Sequence, residues 1–270
     1  MRRFVVLDKN IGETPLTAVR KWKKNNPEYA DIPASYAGRL DPMASGKLLV
    51  LFGEECKRQS AYTNLDKEYE VEVLLDVGSD TGDVLGYLEY LNKETSATGK
   101  MISEAINRER GAHMREYPVF SSKTVEGKPL FLYALEGTLQ SIEIPKHIEL
   151  IYRIRHRCSY TISCSDLQSR ISALLSSVIL TDEPSKRLGE DFRIDAVRDH
   201  WESLFKTAHG RNFTVIRLNV VCASGTYMRS LAGRVGEALG TNALALSIKR
   251  TRMGKYINLW NRIGLWIRTY

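Results

Sequence analysis

The stretch Gly38-Arg39-Leu40-Asp41-Pro42-Met43-Ala44-Ser45-Gly46-Lys47-Leu48-Leu49-Val50-Leu51-Phe52-Gly53 joins an acid-proline loop to an apolar run. The run Leu48 to Phe52, bounded by Gly46 and Gly53, reads as a strand buried on both faces. Proline after Asp41 biases the acid away from helical angles and towards an extended, fixed conformation. Gly38 and Gly46 permit sharp turns or the close approach of a ligand backbone, and the strand behind them anchors the loop in the core. An ordinary Asx-type turn also uses Asp-Pro, so spacing alone leaves both a turn role and a chemical role open for Asp41.

Outward from this loop the chain alternates strands and helices. Phe4 to Leu7 reads as a short strand, and Thr14 with Pro15 starts an amphipathic helix carrying Leu16, Val19 and Trp22 on one face and ending in the basic run Lys21 to Lys24. Tyr69, Val71, Val73 and Leu75 alternate with Glu68, Glu70 and Glu72, the pattern of a half-exposed strand, before the turn Gly78 to Asp83. Residues 99–110 read as helix and Tyr117 to Lys123 as an extended loop. Between about 154 and 210 the composition shifts to Ser, Arg, Asp and Leu, with a helix over Asp195 to Phe205, and this segment is expected to be a helical insertion in a single domain spanning 1–270. Phe213 to Cys222 alternates like a strand, Ala223 to Tyr227 turns the chain, and a helix follows until Gly240. An apolar stretch from Tyr256 to Ile267 comes last.

Composition narrows the function. With 270 residues and 43% hydrophobic content the chain can bury a sizeable core. The 39 Lys and Arg against 32 Asp and Glu give a net charge of +7, which suits a polyanionic partner without requiring one. Cys56, Cys158, Cys164 and Cys222 form neither a C-x-x-C pair nor zinc-site spacing, even with His156 beside Cys158, so reduced thiols and no metal are expected. No phosphate-binding glycine motif and no H-E-x-x-H occurs, so the chemistry is expected to come from ordinary side chains without a cofactor. No apolar stretch reaches membrane-spanning length, and a cytoplasmic location is expected.

Gly38-Arg39-Leu40-Asp41-Pro42-Met43-Ala44-Ser45-Gly46-Lys47-Leu48 closely resembles the Gly-x-Leu-Asp-Pro-x-Ala-x-Gly-x-Leu signature of the TruB-type tRNA pseudouridine synthases. The resemblance recurs in order along most of the chain. Asp8-Lys9-x-x-Gly12 is similar to the family's N-terminal motif, Lys67-Glu68-Tyr69 to its Lys-x-Tyr strand, and Thr81-Gly82-Asp83-x-x-Gly86 to the next turn. Pro118-x-x-Ser121-Ser122 with Gly127-Lys128-x-Leu130, then Cys222 to Leu231, then Lys249-Arg250-Thr251-Arg252-x-Gly254 continue the series. The resemblance implies a mixed α/β (α+β) pseudouridine synthase fold, a largely antiparallel central sheet flanked by helices. It further implies isomerisation of a uridine in the T-loop of tRNA, at position 55, by an enzyme without metal or organic cofactor.

By that resemblance Asp41 is the catalytic aspartate, Arg229 the arginine that pairs with it, and Tyr69 the aromatic residue that stacks against the flipped-out uracil. Otherwise a helix arginine snorkels to solvent and a strand tyrosine fills core. Lys67, two residues from Tyr69 on the same strand face, is either a site residue or a solvated edge lysine. Arg39, Lys123, Lys249, Arg250 and Arg252 are candidates for phosphate contacts, each individually ordinary as a surface charge, and Ile248 lies where the family places an apolar site wall. Tyr36 stands where many bacterial members carry a histidine that holds the RNA loop, and Lys123 falls one position earlier than the family lysine. A short form without a C-terminal PUA domain after Gly254 is expected, as is a monomer that grips the tRNA T-arm without an obligatory protein partner. The competing readings are a guide-RNA-directed relative and a tRNA-binding or folding chaperone without chemistry.

Overall fold

In a computed structural model of the protein, residues 2–91, 93–178, 193–260 and 263–270 are described. The elements run β1 (Phe4–Lys9), α1 (Pro15–Lys24), β2 (Ala34–Ala37), β3 (Ala44–Phe52), α2 (Gln59–Thr63), β4 (Asp66–Leu75), β5 (Val77–Ser79), β6 (Leu88–Tyr90), α3 (Gly99–Arg108) and β7 (Gly111–Glu116). They continue with β8 (Thr124–Val125), β9 (Lys128–Pro129), α4 (Leu130–Leu135), β10 (Lys146–Ser163), α5 (Cys164–Ser177), α6 (Ile194–Thr207), β11 (Asn212–Cys222), α7 (Met228–Ala238), β12 (Ala243–Trp260) and β13 (Ile263–Thr269).

A nine-stranded sheet in the order β1-β3-β12-β4-β11-β10-β7, with β2 on β3 and β13 on β12, organises the described residues. Every pairing in it is antiparallel except β12 with β3, which run parallel where Ile248 meets Ala44 and Arg250 meets Gly46. The fold is thus the expected mixed α/β type with a largely antiparallel sheet.

Local chemistry sets the helix ends as expected. Thr14 Oγ1 accepts from Thr17 N at 3.1 Å with Pro15 opening α1, and Gly240, at φ 76°, closes the turn after α7 by donating to Glu237 O. Leu48, Leu49, Val50 and Leu51 are fully buried, so β3 is covered on both faces as its apolar run predicts.

Two expectations need correction. β4 is not half-exposed: it lies between β12 and β11, and Glu68 and Glu72 are buried, leaving Glu70 exposed. Arginines from other elements cover Glu68 and Glu72. Glu68 takes Arg153 Nη2 at 3.0 Å, and Glu72 takes Arg217 Nε at 2.8 Å, Tyr160 OH at 3.0 Å and Arg170. Burial alone would raise the Glu72 carboxyl, and the bonds from Arg170 and Arg217 outweigh it to hold it below its ordinary value. The segment read as a helical insertion over 154–210 is helical only from Cys164, because residues 154–163 complete β10 against β11. Its α5 and α6 place Leu167, Ile171, Trp201 and Phe205 in the main core, and residues 179–192 lie outside the described residues.

Candidate active site

Asp41 sits in the loop between β2 and β3, and two contacts hold that loop from below. Gly12 N donates to Pro42 O at 2.8 Å, and Arg250 donates to three carbonyls, Lys47 O at 2.7 Å, Gly38 O at 3.1 Å and Arg39 O at 3.3 Å. Gly46, at φ 102°, lets β12 pass: a Cβ there would lie 2.2 Å from Arg250 O.

α7 delivers Arg229. Its Nε donates to Asp41 Oδ2 at 2.7 Å, Nη1 to Thr81 O at 2.6 Å and Nη2 to Phe120 O at 3.0 Å. Asp83 Oδ2 lies 3.5 Å from the same Nε. The guanidinium is therefore gripped by two carbonyls and shared by two carboxylates, one open and one buried. Burial raises the Asp83 carboxyl above its ordinary value against the pull of Arg229, and Thr81 Oγ1 and Leu85 N each donate to its Oδ1 at 2.9 Å.

Asp41 and Arg229 border a cleft of about 560 Å³ together with Tyr69, Tyr36, Arg39, Lys67, Ile248 and Arg250. Eight of the eleven residues singled out in the sequence thus meet in one place, and neither Lys123 nor Arg252 joins them. Lys249 does not either: it is exposed and, between Ile248 and Arg250 on β12, points to the other sheet face. Arg250 is 1% exposed with its donors spent on the Asp41 loop, so it acts as a pin for that loop where a surface phosphate contact was expected. Lys67 is also buried and donates to Thr63 O at 2.8 Å and Leu65 O at 2.6 Å, which excludes the solvated edge role. Burial, with Arg250 nearby, lowers its pKa to about 8. Lys9, beneath the Asp41 loop, is lowered to about 8 by burial, which Glu13 and Asp41 oppose. Burial pushes the Tyr69 phenol up, with the Arg250 guanidinium opposing. Arg39 is exposed and borders the cleft, whereas exposed Lys123 stands 5.2 Å over the Tyr117 ring outside it.

Asp83, Phe120 and Arg193 were not assigned roles from sequence. Asp83 lies inside the Thr81-Gly82-Asp83 motif, so its signal was there. Phe120 acts through a backbone carbonyl, which residue identity does not reveal, and Arg193, which borders the cleft, precedes a helix outside every family motif. Among the described residues no cluster of His, Cys, Asp and Glu is placed to hold a metal ion.

The protein thus carries, on its central sheet, an open carboxylate locked to a buried arginine in a cleft bordered by cationic side chains. Its fold matches a solved structure described as "Crystal Structure of a Cbf5-Nop10-Gar1 Complex" with a TM-score of 0.53 at 19% identity, over 93% of this chain and 48% of that one. The chain belongs to the TruB family of pseudouridylate synthases, whose N-terminal-domain model matches residues 31–171. It is 27% identical over 254 residues to tRNA pseudouridine synthase B of Blochmanniella floridana, covering 94% of this chain and 77% of that protein. It is 28% identical over 255 residues to tRNA pseudouridine synthase B of Tolumonas auensis, covering 94% of this chain and 61% of that protein.

Proposed function

We propose that this protein converts uridine to pseudouridine in the T-loop of tRNA, at position 55, with Asp41 as the catalytic acid. The observation that carries the reading is the 2.7 Å Asp41–Arg229 pair in a cleft bordered by the family-motif residues. Isomerisation breaks the bond from uracil N1 to ribose C1′ and remakes it at C5. A fixed, ionised carboxylate serves this by attacking C1′ or by taking the C2′ proton to give a glycal. The Arg229 guanidinium, donating from Nε to Oδ2 at 2.7 Å, fixes the direction of the Asp41 carboxylate.

A uridine in a folded loop reaches Asp41 only by leaving its stack, at a cost of a few kcal/mol that contacts to base and backbone offset. Tyr69 supplies a ring face in the cleft and Ile248 an apolar wall, while Tyr36 and Arg39 stand at the cleft for the RNA strand. The relatives named tRNA pseudouridine synthase B favour tRNA over a guide-RNA-directed substrate. Presence of Asp41, Tyr69 and Arg229 together favours an enzyme over a chaperone without chemistry. The protein acts as a monomer without an obligatory partner. Among the described residues no helix is long and apolar enough to cross a membrane.

The test uses a T-arm stem-loop transcript incubated with wild type and with Asp41→Asn, read by pseudouridine-specific chemical mapping. Wild type is expected to convert one loop uridine and Asp41→Asn none. Binding by wild type with every uridine left unchanged would overturn the enzyme reading, and conversion by Asp41→Asn would overturn the assignment of the acid.

A further inference from the structure

Both carbonyls that grip Arg229 belong to turns held by one side chain from outside the family motifs. Thr81 follows Asp80, whose carboxylate takes two bonds from Arg193, Nη1 to Oδ2 at 2.7 Å and Nη2 to Oδ1 at 3.1 Å. Phe120, whose carbonyl takes Arg229 Nη2, sets its ring 4.7 Å from the Arg193 guanidinium carbon, and the Tyr87 ring lies 4.0 Å from that carbon. α6 fastens to the same turn twice more. His200 stacks on Tyr87 at 4.8 Å, and Trp201 Nε1 donates to Val84 O at 3.0 Å. Arg193 itself takes a left-handed φ of 52° at the head of α6, a conformation costing about 1 kcal/mol or more outside glycine.

We propose that Arg193 is a positioning residue for the Asp41–Arg229 pair, clamping the turn that carries Thr81 to the loop that carries Phe120 so that both carbonyls aim Arg229. Only a planar fork that pairs with a carboxylate through its edge and meets rings through its face does this, so lysine is no substitute. The helices of the segment read as an insertion thereby bring a fastener to the back of the catalytic pair. The kinetic consequence rests on the function proposed above, whereas the geometric one does not.

The experiment compares wild type with Arg193→Gln, Arg193→Lys, Asp80→Asn and the Arg193→Gln/Asp80→Asn double variant. Single-turnover conversion of the T-arm stem-loop at saturating enzyme is measured beside RNA affinity. Nitrogen-15 NMR of the free proteins follows the Arg229 Nε–H signal, identified by its loss in Arg229→Lys. We expect the conversion rate to fall about 10- to 100-fold with affinity held within about twofold, since small displacements at a reacting centre cost rates of this order. Arg193→Lys is expected to recover little. The double variant is expected to be no slower than the worse single one, because the two residues act as a unit. The Arg229 signal is expected to shift or exchange faster in each variant. Weakened affinity at an unchanged rate, with a shallower salt dependence, would make Arg193 a phosphate contact and overturn the proposal. An unmoved Arg229 signal would overturn it as well. If wild type leaves uridine unchanged, the catalytic reading falls, and the Arg229 signal of the free variants still decides for or against the clamp.

Discussion

Arg229 Nε meets Asp41 Oδ2 at 2.7 Å across 188 residues of sequence, and the two side chains differ in exposure, 6% for the arginine and 45% for the acid. The arginine is locked in protein, and the acid is open to the cleft. A single ammonium cannot serve Asp41 and both carbonyls in one plane. Arg229→Lys is therefore expected to lower the conversion rate by about two orders of magnitude with RNA affinity little changed, as removal of a preorganised donor does. A rate within threefold of wild type in single-turnover assays would count against this geometry.

Asp83 offers a pH signature. Its native carboxyl is raised by burial, so the folded state holds a proton that the unfolded state, near 3.8, has released. Stability from this group is fully present below that unfolded value and is lost as pH rises through the native one. Urea midpoints measured upward from pH about 4 are expected to show wild type losing stability relative to Asp83→Asn, and parallel curves would refute the assignment.

Lys9 and Lys67 act in the opposite sense at higher pH. Both are lowered to about 8 by burial, so between there and 10.5 the folded state has shed protons the unfolded state still holds. Their contribution is present above the unfolded value and is lost as pH falls through about 8. Thermal melts are expected to show this component rising from pH about 8 to about 10, with the slope reduced in Lys67→Met.

Arg250 and Arg39 are predicted to behave differently although both are arginines at the cleft. Arg250→Met strands three loop carbonyls, so it is expected to cost about 3 kcal/mol of stability while the salt dependence of RNA binding stays as in wild type. Arg39→Ala is expected to leave stability within about 0.5 kcal/mol and to reduce the log–log salt slope of binding by about 0.7 to 0.9. Denaturation and affinity titrations on the two variants check both halves.

Gly82 lies at φ 76°, and a Cβ there would stand 3.1 Å from Arg229 O. Gly82→Ala is expected to destabilise by about 1–3 kcal/mol and to slow conversion, because the strained turn carries Thr81. A variant as stable and as fast as wild type would show that the turn yields without cost.

How much of this could be read from the chain differs by element. β3 was legible because a strand buried on both faces needs an unbroken apolar run, and α1 because Thr14 and Pro15 mark its start chemically. β4 misled: its alternating glutamates carry the pattern of a solvent face, and only the arginines of β10, α5, β11 and β12, distant in sequence, turn that face into a covered one. Motif order singles out Asp41, Arg229 and Tyr69, which border one cleft. Roles filled by main-chain carbonyls, such as those of Thr81 and Phe120, leave no trace in residue identity. Arg250 was misjudged for a related reason, since a basic residue in a basic run looks like surface until the fold closes around it.

β12 has a consequence for when the enzyme becomes competent. β3 and β4 follow one another in the chain, yet in the sheet β12, residues 243–260, lies between them. A nascent chain that has left the ribosome only as far as α7 carries its acid loop on a strand with one open flank, and β4 lacks one of its two neighbours. Such a chain has no Arg250 to pin the loop and presents two unsatisfied strand edges to whatever it meets. Premature termination before β12 therefore yields an aggregation hazard, and the Asp41 loop is pinned only once β12 has been translated.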